Sequence, residues 1–113
     1  MNVTVTIRGS SYELSPRKAV DVLALGEVAE RGVKSGSSDL AIIARGVSDS
    51  LRATQKRLGP FRSWRYRRYT GFLGIRHLFS DLDPVDIMDL WMKVLAVEGK
   101  KKAEMEERHQ AKS

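Results

Sequence analysis

Apolar and polar residues alternate at the start of the chain, where Val3, Val5 and Ile7 are separated by Thr4 and Thr6 and followed by Arg8. A period of two puts one set on the inner face of a strand and the other in water. After Gly9-Ser10, a pair suited to a tight reversal, Ser11-Tyr12-Glu13-Leu14 resumes the alternation. The pattern predicts a β-hairpin with Tyr12 and Leu14 facing inward. An isolated hairpin is marginal in water, so its apolar face needs helices to lie on.

Beyond Leu14 the spacing changes to three and four. Ser15-Pro16 reads as an N-cap followed by proline at the first helical position, and predicts a helix through Ala19, Val20, Val22, Leu23, Leu25, Val28 and Ala29 that stops near Gly32 or Gly36. Ser37-Ser38-Asp39 offers a second cap. From it Leu40, Ile43, Ala44, Val47, Leu51, Thr54 and Leu58 fall at helical spacing until Gly59-Pro60. A short third helix is expected near Phe61 to Arg68, ending before Thr70-Gly71. Asp83-Pro84-Val85-Asp86 carries the clearest start signal: a cap, a proline at the first position and a carboxylate in the first turn. Ile87, Met88, Trp91, Val94, Leu95 and Val97 supply the buried side of that last helix, with Met92 nearer its margin. The expected architecture is α+β and mainly α, a hairpin packed on a bundle of three to four helices. Residues 1–99 form one domain, and 100–113 are a charged tail or helix extension.

Composition narrows the function classes. A chain of 113 residues with 42% hydrophobic and 30% charged content can bury one core. A formal charge of +6 makes salt-sensitive attraction to polyanions unavoidable whatever the role. The absence of cysteine removes disulfides, thiolate metal sites and cysteine nucleophiles, and no apolar run approaches the length of a membrane span. The polar opening Asn2-Val3-Thr4 lacks the character of an export signal, so a cytoplasmic location is expected.

Catalytic chemistry finds no support in the sequence. His77 lies in the apolar stretch Ile75-Arg76-His77-Leu78-Phe79 and reads as a structural histidine, while His109 lies in the polar tail. Asp81, Asp83, Asp86 and Asp89 have no calcium-loop spacing, and helix capping accounts for Asp83 and Asp86. Gly71-Phe72-Leu73-Gly74 lacks the rest of a dinucleotide fingerprint. No enzyme activity, cofactor or metal is expected.

Charge is segregated instead. Ser50 to Ser80 carries eight arginines and lysines and no acid, and Asp81 to Asp89 carries four aspartates and no base. Within the basic block, Phe61-Arg62-Ser63-Trp64-Arg65-Tyr66-Arg67-Arg68-Tyr69 interleaves four aromatics with four guanidinium groups. Such a run suits a nucleic-acid module in which Arg62, Arg65, Arg67 and Arg68 hold phosphates and Tyr66 stacks on bases. The alternative has Phe61 and Trp64 packed inward, with the arginines solvated or paired with the downstream aspartates.

The run Val3-Thr4-Val5-Thr6-Ile7-Arg8-Gly9-Ser10-Ser11-Tyr12-Glu13-Leu14, followed by Ser15-Pro16 and a helical remainder, resembles the small tail assembly chaperones of long-tailed bacteriophages and prophages. The helix from Asp83-Pro84 with its charged tail is similar in layout. The resemblance implies a hairpin leading into a helical domain, and a protein partner, the tape measure protein, whose apolar helices are kept soluble before the tail tube polymerises. It implies no catalytic residues, and the bacterial host cytoplasm as the place of action. A chaperone of this kind needs an exposed apolar groove, for which Met88, Trp91, Met92, Phe72 and Phe79 are suitable linings, and such a groove implies a homo-oligomer. Partner contacts are expected at Trp64, Tyr66, Arg65 and Arg68 on the basic segment and at Met88, Trp91 and Met92 on the last helix. The competing expectations are the nucleic-acid module and a virion or tail subunit that self-assembles without a client.

Overall fold

The hairpin forms where the alternation places it. In the computed structural model, which describes residues 3–35 and 39–112 and the side chains of 3–30, 39–100, 102 and 103, β1 (Val3–Ile7) pairs antiparallel with β2 (Ser10–Leu14). Val5 lies opposite Tyr12 and Ile7 opposite Ser10. The turn is therefore Arg8-Gly9, one residue earlier than the expected Gly9-Ser10. Both residues have positive φ, 51° and 79°. That is the backbone a two-residue hairpin demands, and it puts Arg8, a non-glycine residue, in the left-handed region.

Among the described residues five helices follow, α1 (Ala19–Ser35), α2 (Asp39–Leu58), α3 (Arg67–Thr70), α4 (Gly74–Asp81) and α5 (Pro84–Lys112), with a 3-10 turn at Trp64–Tyr66 before α3. The fold is α+β and mainly helical. α2 is the central element, packed against β2, α1, α3, α4 and α5. The core joins Val5, Ile7, Tyr12 and Leu14 of the hairpin to Ala44, Val47 and Leu51 of α2 and to Ile87, Leu90 and Val94 of α5. α2 and α5 approach closely at Gly46, where a Cβ would fall 2.2 Å from a ring carbon of Trp91, so this contact admits only glycine without movement of the indole.

Several local expectations are corrected. α1 begins at Ala19, four residues after Ser15 and not directly behind it as expected. The Ser15 side chain is buried and bonds the Thr54 hydroxyl, while its carbonyl accepts from Ser50 at 2.6 Å. Thr54 in turn donates to the Glu13 carbonyl at 2.7 Å. Small hydroxyls on α2 thus hold the backbone leaving the hairpin, where polar groups withdrawn from water need partners. The wide apolar stripe expected on α1 is mostly outside the core: Leu25 is buried, but Val20, Val22 and Leu23 are exposed. The proposed cap at Ser37-Ser38 lies outside the described residues. α4 was not foreseen, and α5 continues without interruption through Gly99 to Lys112.

Candidate interaction surfaces

The basic segment begins at an exposed turn and ends in the core. Phe61 and Trp64, packed inward in one of the two readings of this segment, are both exposed, Trp64 at 69%. Tyr66 and Tyr69 take the interior places, fully buried and set edge-to-face around Tyr12 with ring centroids 5.0 Å and 5.4 Å away. Such a trio fills volume while each phenol keeps a polar outlet. The Tyr66 hydroxyl accepts the Glu13 amide hydrogen at 2.7 Å, and the Tyr69 hydroxyl donates to Asp81 at 2.6 Å.

Two of the four arginines are committed to the same structure. Arg65 donates to the Ser11 carbonyl at 2.9 Å and lies over the Tyr12 and Tyr66 rings, 5.7 Å and 5.2 Å from their centroids. Arg68 grips the Asp81 carboxylate with two hydrogen bonds of 2.8 Å and 3.0 Å, a forked geometry stronger than a simple ion pair. The Arg68 hydrogen bond, reinforced by Tyr69, lowers the Asp81 carboxyl to about 2. Burial first, and then the bond to Asp81, raises the Tyr69 phenol above its ordinary range. His77 sits beside this cluster with its Nδ1 bonded to the Arg68 carbonyl at 2.8 Å. Arg62 and Arg67 are exposed and form no ion pair among the described residues. Of the acids Asp81, Asp83, Asp86 and Asp89, only Asp81 faces this cluster, and no group of side chains suited to a metal occurs among the described residues.

A cleft of about 650 Å³ lies on the α2 face beside the α3–α4 connection, lined by Arg45, Ser48, Asp49, Arg52, Thr70 and Phe72 among others. Arg52 reaches the Thr70 carbonyl at 3.1 Å, and Ser48 the Tyr69 carbonyl at 2.6 Å. Burial raises the Asp49 carboxyl, with the charge of Asp21 adding to the effect. Both bonds hold α3 to α2, so much of the cleft's polarity serves the fold.

α5 presents apolar side chains on two sides. Ile87, Leu90, Val94 and Val97 are buried at spacings of three, four and three. Val85, Met88, Met92 and Leu95 repeat the same spacings and are exposed, Val85 at 77% and Met92 at 61%. At 3.6 residues per turn each set occupies an arc of about 80°, and the arcs are centred about 160° apart. The inner set packs on α2 and the hairpin. The outer set has the a/d periodicity of a seam that receives another helix. Sequence reasoning placed Met88 and Leu95 on the buried side because it merged the two stripes into one. Trp91, half-buried between them, is held by Gly46 beneath and by the Arg17 guanidinium 4.9 Å from its ring centroid. Arg17 is itself fixed by Glu98 of α5 through bonds of 2.7 Å and 2.8 Å.

Of the residues expected at a partner surface, Trp64, Met88 and Met92 are therefore exposed, Trp91 forms the edge of the outer α5 face, and Tyr66, Arg65 and Arg68 have partners within the chain. Phe72 and Phe79 are also exposed, and Leu23 on α1 is 70% exposed. No described helix is long and apolar enough to cross a membrane. Comparison with protein-family models, curated proteins and solved structures finds no match.

Proposed function

We propose that this protein works by binding apolar helices of another protein, in the manner of a phage tail assembly chaperone that holds a tape measure protein before the tail tube forms. The observation that carries this reading is the outer face of α5, where Val85, Met88, Met92 and Leu95 stand in water at the spacing of a helix-receiving seam. Unbranched methionines at its centre adapt to the irregular side chains of a client, which suits successive segments of a long helical protein. The exposed side of α1, with Val20 and Leu23, supplies further apolar surface. Binding needs no chemistry from the client, so neither a cofactor nor a catalytic group enters this reading.

The test uses a fluorescent amphipathic Leu/Ala-rich helix of about 20 residues and a scrambled control. The native chain is expected to bind the helix, and the Met92→Lys and Val85→Lys variants to bind it at least about tenfold more weakly, a loss of about 1.4 kcal/mol. Equal binding by native chain and variants, or no preference over the scrambled control, would sink the proposal.

A second reading has one observation in its favour: exposed Trp64 and Phe61 are close in sequence to the exposed Arg62 and Arg67, which form no ion pair among the described residues, a small stacking and phosphate-contacting set. It is narrower than the sequence implied, since Arg65, Arg68 and Tyr66 are engaged internally. Titration with single-stranded DNA decides it. Binding that persists at physiological salt and is lost in Trp64→Ala supports it, and binding that disappears with salt reduces it to charge attraction.

A further inference from the structure

Two groups in the cleft beside α2 have bonding capacity that the fold leaves unused. Arg45, Asp49 and Arg52 follow one another on α2 at spacings of four and three, so an acid stands between two bases, each about one turn away. Arg52 is spent in part on the Thr70 carbonyl, whereas Arg45, half-buried, forms no ion pair or hydrogen bond among the described residues. Asp49 is the sharper case. Its side chain is only 7% exposed, it accepts no hydrogen bond among the described residues, and its ion pair with Arg52 spans 3.6 Å, beyond hydrogen-bonding distance. Buried carboxylates are normally satisfied. Among the described residues no side-chain nitrogen or oxygen is both shut off from solvent and without a partner, so the Asp49 oxygens open on the cleft that the residue lines. At the rim Phe72, in the three-residue connection from α3 to α4, is fully exposed, its ring left uncovered by the chain.

We infer that this cleft binds a guanine nucleotide, with Asp49 accepting hydrogens from the edge of the base, Phe72 stacking on its ring and Arg45 holding the phosphate. The volume of about 650 Å³ falls within the range of small-molecule sites. An ionised carboxylate only accepts, so the ligand has to bring the N–H groups. A cationic donor is disfavoured, because the charges of Arg52, Arg45 and Arg17 all reach Asp49. Neutral N–H groups escape that repulsion, and guanine carries two side by side, on N1 and on its exocyclic amine. A phosphate at the other end of the ligand suits Arg45 and the net charge of +6. Adenine has a bare ring nitrogen where guanine has N1–H, and so sets lone pair against lone pair at Asp49. The cleft shares no residue with the outer face of α5, and this site goes beyond the proposed function without resting on it.

Calorimetric titration of the full chain with GMP, AMP and inorganic phosphate separates the contributions. GMP is expected to bind with a Kd of about 100 µM, and AMP and phosphate at least about tenfold more weakly. AMP carries the same charge as GMP, so the gap between them reads the carboxylate and not general attraction to a basic protein. Phe72→Ala and Arg45→Ala are each expected to weaken GMP at least about fivefold while leaving the melting temperature within about 2 °C of the native chain. Asp49→Asn keeps the size of the side chain but exchanges an acceptor for a donor, and is expected to bring GMP and AMP within about twofold of each other. No GMP binding up to about 1 mM, equal affinity for GMP and AMP, phosphate bound as tightly as GMP, or GMP binding unmoved by both Phe72→Ala and Arg45→Ala would each overturn the assignment. Should Asp49→Asn fail to fold, the Phe72→Ala and Arg45→Ala titrations decide it.

Discussion

Residues 61–69 and the first three turns of α5 treat their side chains in opposite ways. The first is the most basic and aromatic stretch of the chain, yet two of its rings, Tyr66 and Tyr69, are wholly inside and two of its arginines are tied to Ser11 and Asp81. The second carries the pattern of a core helix, yet half of its large apolar residues face water. The difference lies in what each segment has to pack against. α3 is a single turn lying against α2 and α4, so long side chains with polar tips can cross it and still reach partners at the rim. α5 is a long cylinder resting on α2 and the hairpin, and a cylinder resting on a layer leaves its far side open.

The strongest way to break the contrast is from inside the tyrosine cluster. Tyr69→Ala removes a fully buried ring and strips Asp81 of its phenol, and is expected to cost about 4 kcal/mol in chemical denaturation. A loss under about 1 kcal/mol would mean that the aromatics do not anchor this end of the core. Gly46→Ala places a methyl against the Trp91 ring, and is expected to cost about 2 kcal/mol and to shift the near-ultraviolet circular dichroism of the indole. An unchanged spectrum would show that α2 and α5 are not in such close contact.

Asp81→Asn tests how firmly the arginine is held, with an expected loss of about 1–2 kcal/mol near neutral pH. The sign of its pH dependence follows from a carboxyl lowered from an ordinary 3.8 to about 2. A lowered acid contributes its stability in full above about pH 4 and loses it as pH falls through about 2. The difference in melting temperature between native chain and variant should therefore close between pH 4 and pH 2. A gap that stayed constant over that window would remove the carboxylate's charge from the explanation. The smallest expected effect is on the other side of the comparison. Met92→Lys should change stability by less than about 0.5 kcal/mol, because its side chain leaves water for nothing within the chain. A larger loss would make the outer stripe part of the core.

The elements governed by local rules were readable from residues alone. Alternation announced β1 and β2, the run from Leu40 to Leu58 announced α2, and Asp83-Pro84 announced the start of α5. What escaped was decided by distant partners. Ser15-Pro16 reads as an immediate helix start, but α1 begins at Ala19, and Thr54 and Ser50 on α2 bind Ser15 in the core. Tyr66 and Tyr69 sit among arginines, and nothing local shows that Tyr12, more than fifty positions earlier, supplies the third ring. α4 has only eight residues between two loops, too short for its periodicity to stand out. On α5 the two apolar stripes share one spacing, and only the placement of α2 says which of them is covered.

The bond from Arg17 to Glu98 joins residues 81 positions apart, and β1 likewise rests on α5. During synthesis the hairpin is made some eighty residues before the helix that seats it. Val5 and Ile7 must therefore wait, unshielded on that side, until α5 has been translated. Slowing elongation across α5 should lengthen that wait and raise the fraction of nascent chains lost to aggregation or proteolysis.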